Sequence, residues 1–169
     1  MGVEGSGKTT VGVLLAQKLG WEFADADAFH SPENIRKISN RIPLTDADRA
    51  PWLAGLHQAI QEWVAQGKNA VLACSALKRS YRAELVSATP PETVRFVYLK
   101  GGHDLILARL RSRHGHFARE SILASQFADL EEPENAITVE VDKTPEAIVS
   151  EIICRLGALQ AAYPDAAPK

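Results

Sequence analysis

The sequence has little of what would identify a secreted, membrane-bound or nucleic-acid-binding protein. Its two cysteines, Cys74 and Cys154, lie far apart and lack metal-ligand spacing, so we expect both to be reduced and buried in a cytosolic protein. No apolar run approaches the roughly 20 residues that a membrane-spanning helix needs. The formal net charge of −2 supplies no basic surplus for a nucleic-acid partner. We therefore expect a cytoplasmic protein with no membrane or nucleic-acid partner.

Repeats and low-complexity linkers are also missing from the 169 residues, which fit one domain with a substantial core. We place this single domain at residues 1–160. Residues 161–169 are rich in Ala and Pro, and we expect them to form a frayed tail.

What the chain does have is a complete phosphate-binding loop, with the pattern G-x-x-x-x-G-K-[ST], at residues 2–9. Backbone N–H groups of such a loop surround a triphosphate, a lysine reaches the β- and γ-phosphates, and a hydroxyl holds Mg²⁺. Lys8 and Thr9 fill those two positions, and the helix that follows adds the positive end of its dipole. The residues predicted to bind a nucleoside triphosphate here are Gly2, Val3, Glu4, Gly5, Ser6, Gly7, Lys8, Thr9 and Thr10.

A phosphate-binding loop normally follows a buried strand, and only Met1 precedes this one. Loss of a central strand would leave backbone groups of both neighbouring strands unpaired, at about 1–3 kcal/mol each. We therefore expect that the protein starts upstream and that Met1 is an internal methionine. For this chain we expect a gap at the centre of the sheet or a disordered loop.

Helical and strand patterns alternate along the rest of the chain, which predicts βαβ units and a mainly parallel sheet. The predicted strands cover residues 21–24, 70–74, 94–99 and 137–141. Ser31-Pro32 and Thr144-Pro145 have the chemistry of helix starts, and a long apolar-faced helix ends at Gly67. The sequence therefore predicts an α/β fold.

Polar residues that follow the strands are the candidates for chemistry, because ligands of open α/β sheets bind at the carboxyl ends of the strands. Asp25 and Asp27 follow the first predicted strand, with His30 close behind. One carboxylate can hold the hydration shell of Mg²⁺, and the other can orient or deprotonate an acceptor hydroxyl. A solvated acidic turn is the alternative for this pair.

Cations form two further groups. Lys78 and Arg82 are four residues apart and would share a helix face, where they either clamp one anion or lie on a basic surface. Arg49 either helps Lys78 and Arg82 to bind the anion or pairs with an acidic residue at a helix start.

Arg109 and Arg113 belong to a basic stretch with the composition of a lid over a triphosphate, and a solvated loop is the alternative. The histidines of this stretch lack metal-ligand spacing, so a zinc site is rejected.

Taken together, the motifs resemble the gluconokinase family of small phosphate-loop kinases. The specific ones are D-x-D-R-x-P-W-L at residues 46–53 and C-S-A-L-K-x-x-Y-R at residues 74–82. They stand in order with the phosphate loop, Asp25–His30, Ser125-Gln126-Phe127 and Leu130-Glu131-Glu132-Pro133. Three positions depart from the family: Ala26 and Arg41 replace usual glycines, and Ile38 replaces a usual methionine. Arg41 adds bulk and charge near the expected acceptor pocket.

The resemblance implies a three-layer phosphate-loop kinase sandwich with parallel strands in the order 2-3-1-4-5, whose first, central strand is missing here. It implies an acceptor-binding helical region at about residues 28–66, a lid at about residues 111–122, and a homodimer. It also implies ATP- and Mg²⁺-dependent phosphorylation of D-gluconate at its 6-hydroxyl. The catalytic residues would be Asp27, Lys8 and Arg113, and Thr9 and Asp25 would serve the metal. Arg109 and Arg113 would also contact ATP, while Asp27, His30, Arg49, Lys78, Arg82 and Gln126 would bind gluconate.

Three alternatives remain. A shikimate kinase-like enzyme would use similar paired aspartates and arginines, so Asp25 and Asp27 do not separate the two. A nucleoside monophosphate kinase would need a larger pocket for the base of its acceptor. A nucleotide-binding module without turnover is favoured only by the missing strand.

Overall fold

Helices and strands alternate in the computed structural model, which describes residues 1–40, 42–114 and 120–162, with the backbone alone at residues 113, 114, 121 and 159–162. The helices are α1 Lys8–Leu19, α2 Pro32–Ser39, α3 Asp46–Ala65, α4 Arg79–Leu85, α5 His103–His114, α6 Glu120–Asp129 and α7 Pro145–Ala162. The strands are β1 Glu22–Asp25, β2 Ala70–Ala73, β3 Val97–Lys100 and β4 Ile137–Glu140. A short 3-10 helix, Ala26–Phe29, follows β1 directly. Helix α7 continues through Ala162, two residues into the segment predicted to fray.

The predicted helix starts at Ser31-Pro32 and Thr144-Pro145 are confirmed, since α2 begins at Pro32 and α7 at Pro145. The Ser31 hydroxyl caps α2 by accepting a hydrogen bond from Asn34 N at 3.1 Å. Thr45 and Asp48 cap α3 reciprocally, since each side chain accepts a hydrogen bond from the other residue's backbone N–H. These caps fix the start of the two helices that carry the predicted acceptor region.

The described strands form two separate parallel pairs. β1 pairs with β2, with Phe23 opposite Val71, and β3 pairs with β4, with Tyr98 opposite Thr138. The prediction for β3 was three residues too long at its amino end, because residues 94–96 precede the regular ladder. The parallel arrangement that the alternating pattern predicts is confirmed.

A cavity of about 600 Å³ lies between the two pairs of strands, lined by β2 and β3. Met1 and Gly2 lie at its carboxyl end, between β3 and the residues that follow β2. Leu99 N donates to Met1 O at 2.9 Å, and Gly2 N donates to Ser75 O at 3.2 Å. The structure therefore has a gap at the middle of the fold, where the phosphate loop begins.

Two apolar clusters flank this gap. One joins α1, α5 and α7 to β3 and β4, and Ile106, Val149 and Ile152 are fully buried in it. The other surrounds Leu56 and contains Trp52 and Leu85, from α3 and α4. The first cluster also reaches the other pair of strands, because Val71 of β2 packs against it.

The expectation for the cysteines is correct for one residue and wrong for the other. Cys74 is free and buried, and burial raises the pKa of its thiol to about 11. Cys154 is free but exposed, since α7 presents it to solvent. No helix in the described ranges is long and apolar enough to cross a membrane.

Candidate active site

The phosphate-binding loop, Gly2–Thr9, turns directly into α1. Gly2 and Gly7 have φ of +143° and +96°, in a region that residues with a Cβ rarely adopt. A Cβ on Gly2 would lie only 2.9 Å from Leu99 O. Glycine is therefore required for the loop to pass this close to β3, and the resulting cradle presents backbone N–H groups at the N-terminus of α1.

Lys8 lies inside this loop. Its Nζ donates to Val3 O at 2.9 Å. Burial lowers the pKa of Lys8, while Asp27, Glu4 and Asp25 act in the opposite direction. A poorly hydrated ammonium surrounded by acids and backbone dipoles is well suited to bind a phosphate.

Thr9 is brought to the end of β1, as the metal prediction requires. Its hydroxyl donates to Asp25 Oδ2 at 2.9 Å, and Asp27 N donates to Asp25 Oδ1 at 3.1 Å. Asp25 is the N-cap of the 3-10 helix, which fixes its carboxylate toward the loop. A hydroxyl and a carboxylate are hard oxygen donors of the kind that Mg²⁺ prefers, so the residues fit this ion. The described residues hold no cluster of three or more His, Cys, Asp or Glu that would suit another metal.

Asp27 lies between the phosphate loop and a second group of polar side chains. Its charge acts on Lys8 on one side and on His30 on the other, and it opposes the lowering of both pKa values. The main cause for His30 is burial, and Arg49 lowers its pKa further. Asp27 is itself exposed, so an acceptor can reach its carboxylate.

His30 is held by an aromatic stack. Its ring lies parallel to that of Trp52, with the centroids 4.8 Å apart and 13° between the planes. Trp52 Nε1 donates to Ala26 O at 2.8 Å, which anchors α3 to the 3-10 helix. The Nδ1 atom of His30 is buried and has no hydrogen-bond partner among the described residues. The ring therefore has an unused polar atom beside Asp27.

Arg49 and Lys78 meet at one carboxylate, that of Asp46 at the start of α3. Asp46 Oδ1 accepts from Lys78 Nζ at 3.1 Å, from Arg49 NH1 at 3.4 Å, and from the Tyr81 hydroxyl. Both cations also lie over the Tyr81 ring, at 5.9 Å for Arg49 and 5.3 Å for Lys78. The hydrogen bond from Tyr81, followed by that from Lys78, lowers the pKa of Asp46, and the bond to Asp46 raises the pKa of Lys78. Two elements distant in sequence thus bring two cations and a hydroxyl to one carboxylate.

Arg82 and Gln126 have other partners. The Arg82 guanidinium is buried and donates to Ala76 O and Leu77 O at 3.0 and 2.8 Å. Gln126 Oε1 accepts from Glu4 N in the phosphate loop at 2.6 Å. The structure does not bring Arg82 to the carboxylate that Lys78 binds, and it brings Gln126 to the loop. Their predicted roles toward gluconate stay predictions.

The predicted lid residues are only partly described. Arg109 donates to Val141 O at the end of β4. The side chain of Arg113, residues 115–119 and Arg41 lie outside the described residues. The roles predicted for Arg113 and Arg41 therefore stay predictions.

Sequence reasoning missed three residues of the site. Asp46 and Tyr81 complete the cation cluster, and Trp52 positions His30. The spacing of Tyr81 from Lys78 and the helix-start position of Asp46 were visible signals, but their meeting depends on how α3 packs on α4. The helical periodicity predicts that Trp52 is a core residue, and the structure agrees, since only 6% of it is exposed.

Comparisons with known proteins relate the chain to small kinases. A sequence model of the shikimate kinase family matches residues 4–156. Gluconokinase of Gluconobacter oxydans (strain 621H) is 48% identical over 156 residues, covering 90% of this chain and 86% of that protein. The crystal structure of a gluconokinase from Sinorhizobium meliloti 1021 has a TM-score of 0.83 at 44% identity, covering 94% and 90% of the two chains. The shikimate kinase of Aquifex aeolicus vf5 has a TM-score of 0.61 at 18% identity, covering 95% and 96%, which is a likeness of fold.

The glycine cradle, the Thr9–Asp25 pair and the parallel α/β architecture define a phosphate-loop kinase. Sequence identities of 48% and 44% to two gluconokinases, over at least nine tenths of this chain, identify the family within this class. The chain belongs to the gluconokinase family.

Proposed function

We propose that the protein transfers the γ-phosphoryl group of ATP to the 6-hydroxyl of D-gluconate, giving 6-phospho-D-gluconate and ADP. The observation that carries this proposal is the position of Asp27. Asp27 N donates to the same Asp25 carboxylate that accepts a hydrogen bond from the Thr9 hydroxyl of the phosphate loop. The charge of Asp27 also opposes the lowering of the pKa of both Lys8 and His30. A base at that junction faces the triphosphate on one side and an acceptor alcohol on the other.

The reaction needs one base and several cations. Asp27 orients the 6-hydroxyl and takes its proton while the oxygen bonds to the γ-phosphorus and the bond to the β-phosphate oxygen breaks. Lys8 and the loop N–H groups stabilise the charge on the phosphates. Thr9 and Asp25 would hold Mg²⁺, which neutralises phosphate charge when bound.

The acceptor carboxylate is the natural ligand for the cations near His30. Gluconate is a small anion with a primary alcohol at the far end of its chain. Arg49 and Lys78 already bind a carboxylate, that of Asp46, with the help of Tyr81. We assign Arg49, Lys78 and His30 to the carboxylate and hydroxyls of gluconate, with Arg82 and Gln126 as weaker candidates.

The segment around α5 and α6 would close over the triphosphate. Its residues 111–122 keep their assignment as a lid, with Arg113 and Arg109 as the arginines that reach the phosphates. Residues 28–66 are assigned to acceptor binding, within a single domain of residues 1–160.

The assembly and the sheet order are also proposals. We assign the two pairs of strands to one parallel sheet with the order 2-3-1-4-5 that the resemblance implies, in which β1 and β2 of this structure are strands 2 and 3 and β3 and β4 are strands 4 and 5. The protein would act in the cytoplasm as a homodimer. An exposed apolar patch formed by Ile35, Ile38 and Ile42 is compatible with a subunit contact.

A shikimate kinase-like activity is the main rival, since the matching family model carries that name. The identities of 48% and 44% to gluconokinases favour gluconate instead. A coupled assay of ADP release with gluconate, shikimate and AMP as acceptors separates them. We expect the highest kcat/KM with gluconate, and equal or better turnover of shikimate would overturn the proposal.

A further inference from the structure

The loop between β2 and α4 carries Lys78, one of the cations assigned to the acceptor carboxylate. Lys78 is the N-cap residue of α4, and its ammonium side chain has no acceptor to offer the helix. The first N–H groups of a helix have no partner within the helix, so those of α4 need acceptors from elsewhere. Whatever supplies them also decides where Lys78 stands.

The backbone of this loop has a conformation that needs support. Ala76 is buried and has a φ of +45°, a left-handed value that residues with a Cβ rarely adopt. Such a conformation persists only where the surrounding structure holds it. Gly2 N donates to Ser75 O on one side, and the Arg82 guanidinium donates to Ala76 O and Leu77 O from within the protein.

Glu131, two residues after the end of α6, makes further contacts on both sides of Lys78. Its backbone N–H donates to Leu77 O at 3.1 Å. Its carboxylate accepts a hydrogen bond from Arg79 N, the first residue of α4. The carboxylate thus supplies the acceptor that the N-cap side chain lacks, and it places a negative charge at the positive end of the helix. The residues before and after Lys78 are both bonded to Glu131.

The neighbouring acids of this segment contact other groups. Glu132 pairs with Lys100 at 2.9 Å, and Glu134 pairs with the side chain of Arg79 at 2.9 Å. Of these three acids in the described segment, Glu131 is the one whose hydrogen bonds reach the backbone beside Lys78. Glu134 therefore provides a matched comparison, since it meets the same arginine through the side chain.

We propose that Glu131 is a positioning residue for acceptor binding, which holds Lys78 where its ammonium meets the acceptor carboxylate. This inference rests on the proposed function, because Lys78 is assigned to gluconate there. Glu131 acts through the loop and not on the substrate. Without its carboxylate the start of α4 loses its cap, and the Lys78 ammonium is no longer held at one place.

The kinetic test compares Glu131→Ala, Glu131→Gln and Glu134→Ala with varied gluconate and ATP. Glu131→Ala should raise KM for gluconate about 3- to 10-fold, with kcat and KM for ATP changed less than about 2-fold. Glu131→Gln keeps an oxygen acceptor, so its KM should stay within about 2-fold of the wild-type value, as should that of Glu134→Ala. A KM in Glu131→Gln equal to that in Glu131→Ala would contradict the hydrogen-bonded role.

A double-mutant cycle with Lys78 tests the route of the effect. If Glu131 acts by placing Lys78, then Glu131→Ala should change kcat/KM less than about 2-fold in a protein that already carries Lys78→Ala. A general loss of structure would lower kcat/KM by the same factor with and without the lysine. That additive result, or an unchanged KM in Glu131→Ala alone, would overturn the proposal.

Hydrogen exchange at the Arg79 amide tests the contact without any acceptor. Exchange there should be at least about 3-fold faster in Glu131→Ala than in Glu134→Ala, with less change at Arg82 N, which donates to Lys78 O. Equal exchange at Arg79 in the two variants would contradict the proposal.

The exchange experiment also separates this proposal from the proposed function. If the wild-type protein phosphorylates shikimate and not gluconate, the proposed function fails. The KM comparison is then made with shikimate, which also carries a carboxylate. Faster Arg79 exchange and a raised KM for shikimate in Glu131→Ala would still support the positioning role, and a normal KM for shikimate would overturn it.

Discussion

The hydroxyl of Thr9 donates a hydrogen bond of 2.9 Å to the Asp25 carboxylate, so the phosphate loop is tied to the end of β1. Thr9 lies in the first turn of α1, and Asp25 begins the 3-10 helix that carries Asp27. The contact therefore fixes the distance between the triphosphate cradle and the proposed base. It also places two oxygen donors where Mg²⁺ would join the phosphates.

Removing the Thr9 hydroxyl should weaken the binding of Mg²⁺ more than it lowers the stability of the fold. We expect Thr9→Val to raise the Mg²⁺ concentration for half-maximal activity by about 10- to 100-fold, the usual effect of losing an oxygen that holds or orients a metal. Thr9→Ser is the matched control, since it keeps the hydroxyl. Titration of activity with Mg²⁺ at saturating ATP measures the effect, and equal curves for the two variants would remove Thr9 from the metal site.

Asp27→Asn should separate catalysis from nucleotide binding. The amide cannot take the proton of the acceptor hydroxyl, so we expect kcat to fall by about 10²–10⁴-fold. The Kd for ATP, measured by calorimetry, should change little. Asp104→Asn is the control, because Asp104 is an exposed acid at the start of α5. Near-normal turnover in Asp27→Asn would make this residue structural.

Two cations of α4 and its cap should behave differently when truncated. Lys78→Ala should raise KM for gluconate about 10-fold or more with little loss of stability, because a charge-assisted contact to the acceptor is removed. Arg82→Ala should mainly lower the thermal midpoint, because Ala76 O and Leu77 O lose a buried donor.

The control for both is Arg79→Ala. This side chain is 71% exposed and pairs with Glu134 at the surface, so neither readout should move. A normal KM in Lys78→Ala would place that lysine outside the acceptor site. A stable Arg82→Ala with a raised KM would restore Arg82 as a gluconate ligand.

In a form of the protein that begins at Met1, the free amine of this residue should lower the stability in mild acid. Burial lowers its pKa from 8.0 to about 5. Between these values the unfolded chain holds a proton that the folded chain does not, so the free energy of unfolding rises as the pH increases from 5 to 8. The size of the effect is several kcal/mol, since each pKa unit corresponds to about 1.4 kcal/mol.

Urea unfolding at pH 5.5 and pH 8, with and without acetylation of Met1, measures this effect. Acetylation removes the titrating group, while His30 and the carboxyl groups contribute equally to both forms. The acetylated chain should lose much less stability at pH 5.5. Identical pH dependence in the two forms would mean that the amine is hydrated in the folded protein.

The sequence predicted the elements that local chemistry controls. Ser31-Pro32 identified the start of α2 because capping involves residues three apart, and the buried run at 70–74 identified β2. The start of β3 was misplaced because residues 94–96 have a strand-like composition but precede the regular ladder, although Phe96 O accepts a hydrogen bond from Ile137 N. Where a ladder begins depends on the neighbouring strand, which is a matter of tertiary structure.

The candidate site also has features that local sequence determines and features that tertiary packing determines. The phosphate loop and the Asp25–Asp27 spacing were readable, since their geometry is set within a few residues. The shared use of Asp46 by Lys78, Arg49 and Tyr81 was not, because it depends on the packing of α3 against α4. The spacing of Lys78 and Arg82 suggested a common helix face, but Lys78 is the N-cap of α4 and only Arg82 lies within the helix.

The product of the reaction tests the central proposal most directly. The protein is incubated with ATP, Mg²⁺ and gluconate, and the new phosphate ester is observed by proton-coupled ³¹P NMR. Transfer to the 6-hydroxyl places the phosphate on a CH₂ carbon, so the account predicts a resonance that is split by two protons. An ester split by a single proton, or release of inorganic phosphate with no ester formed, would contradict it.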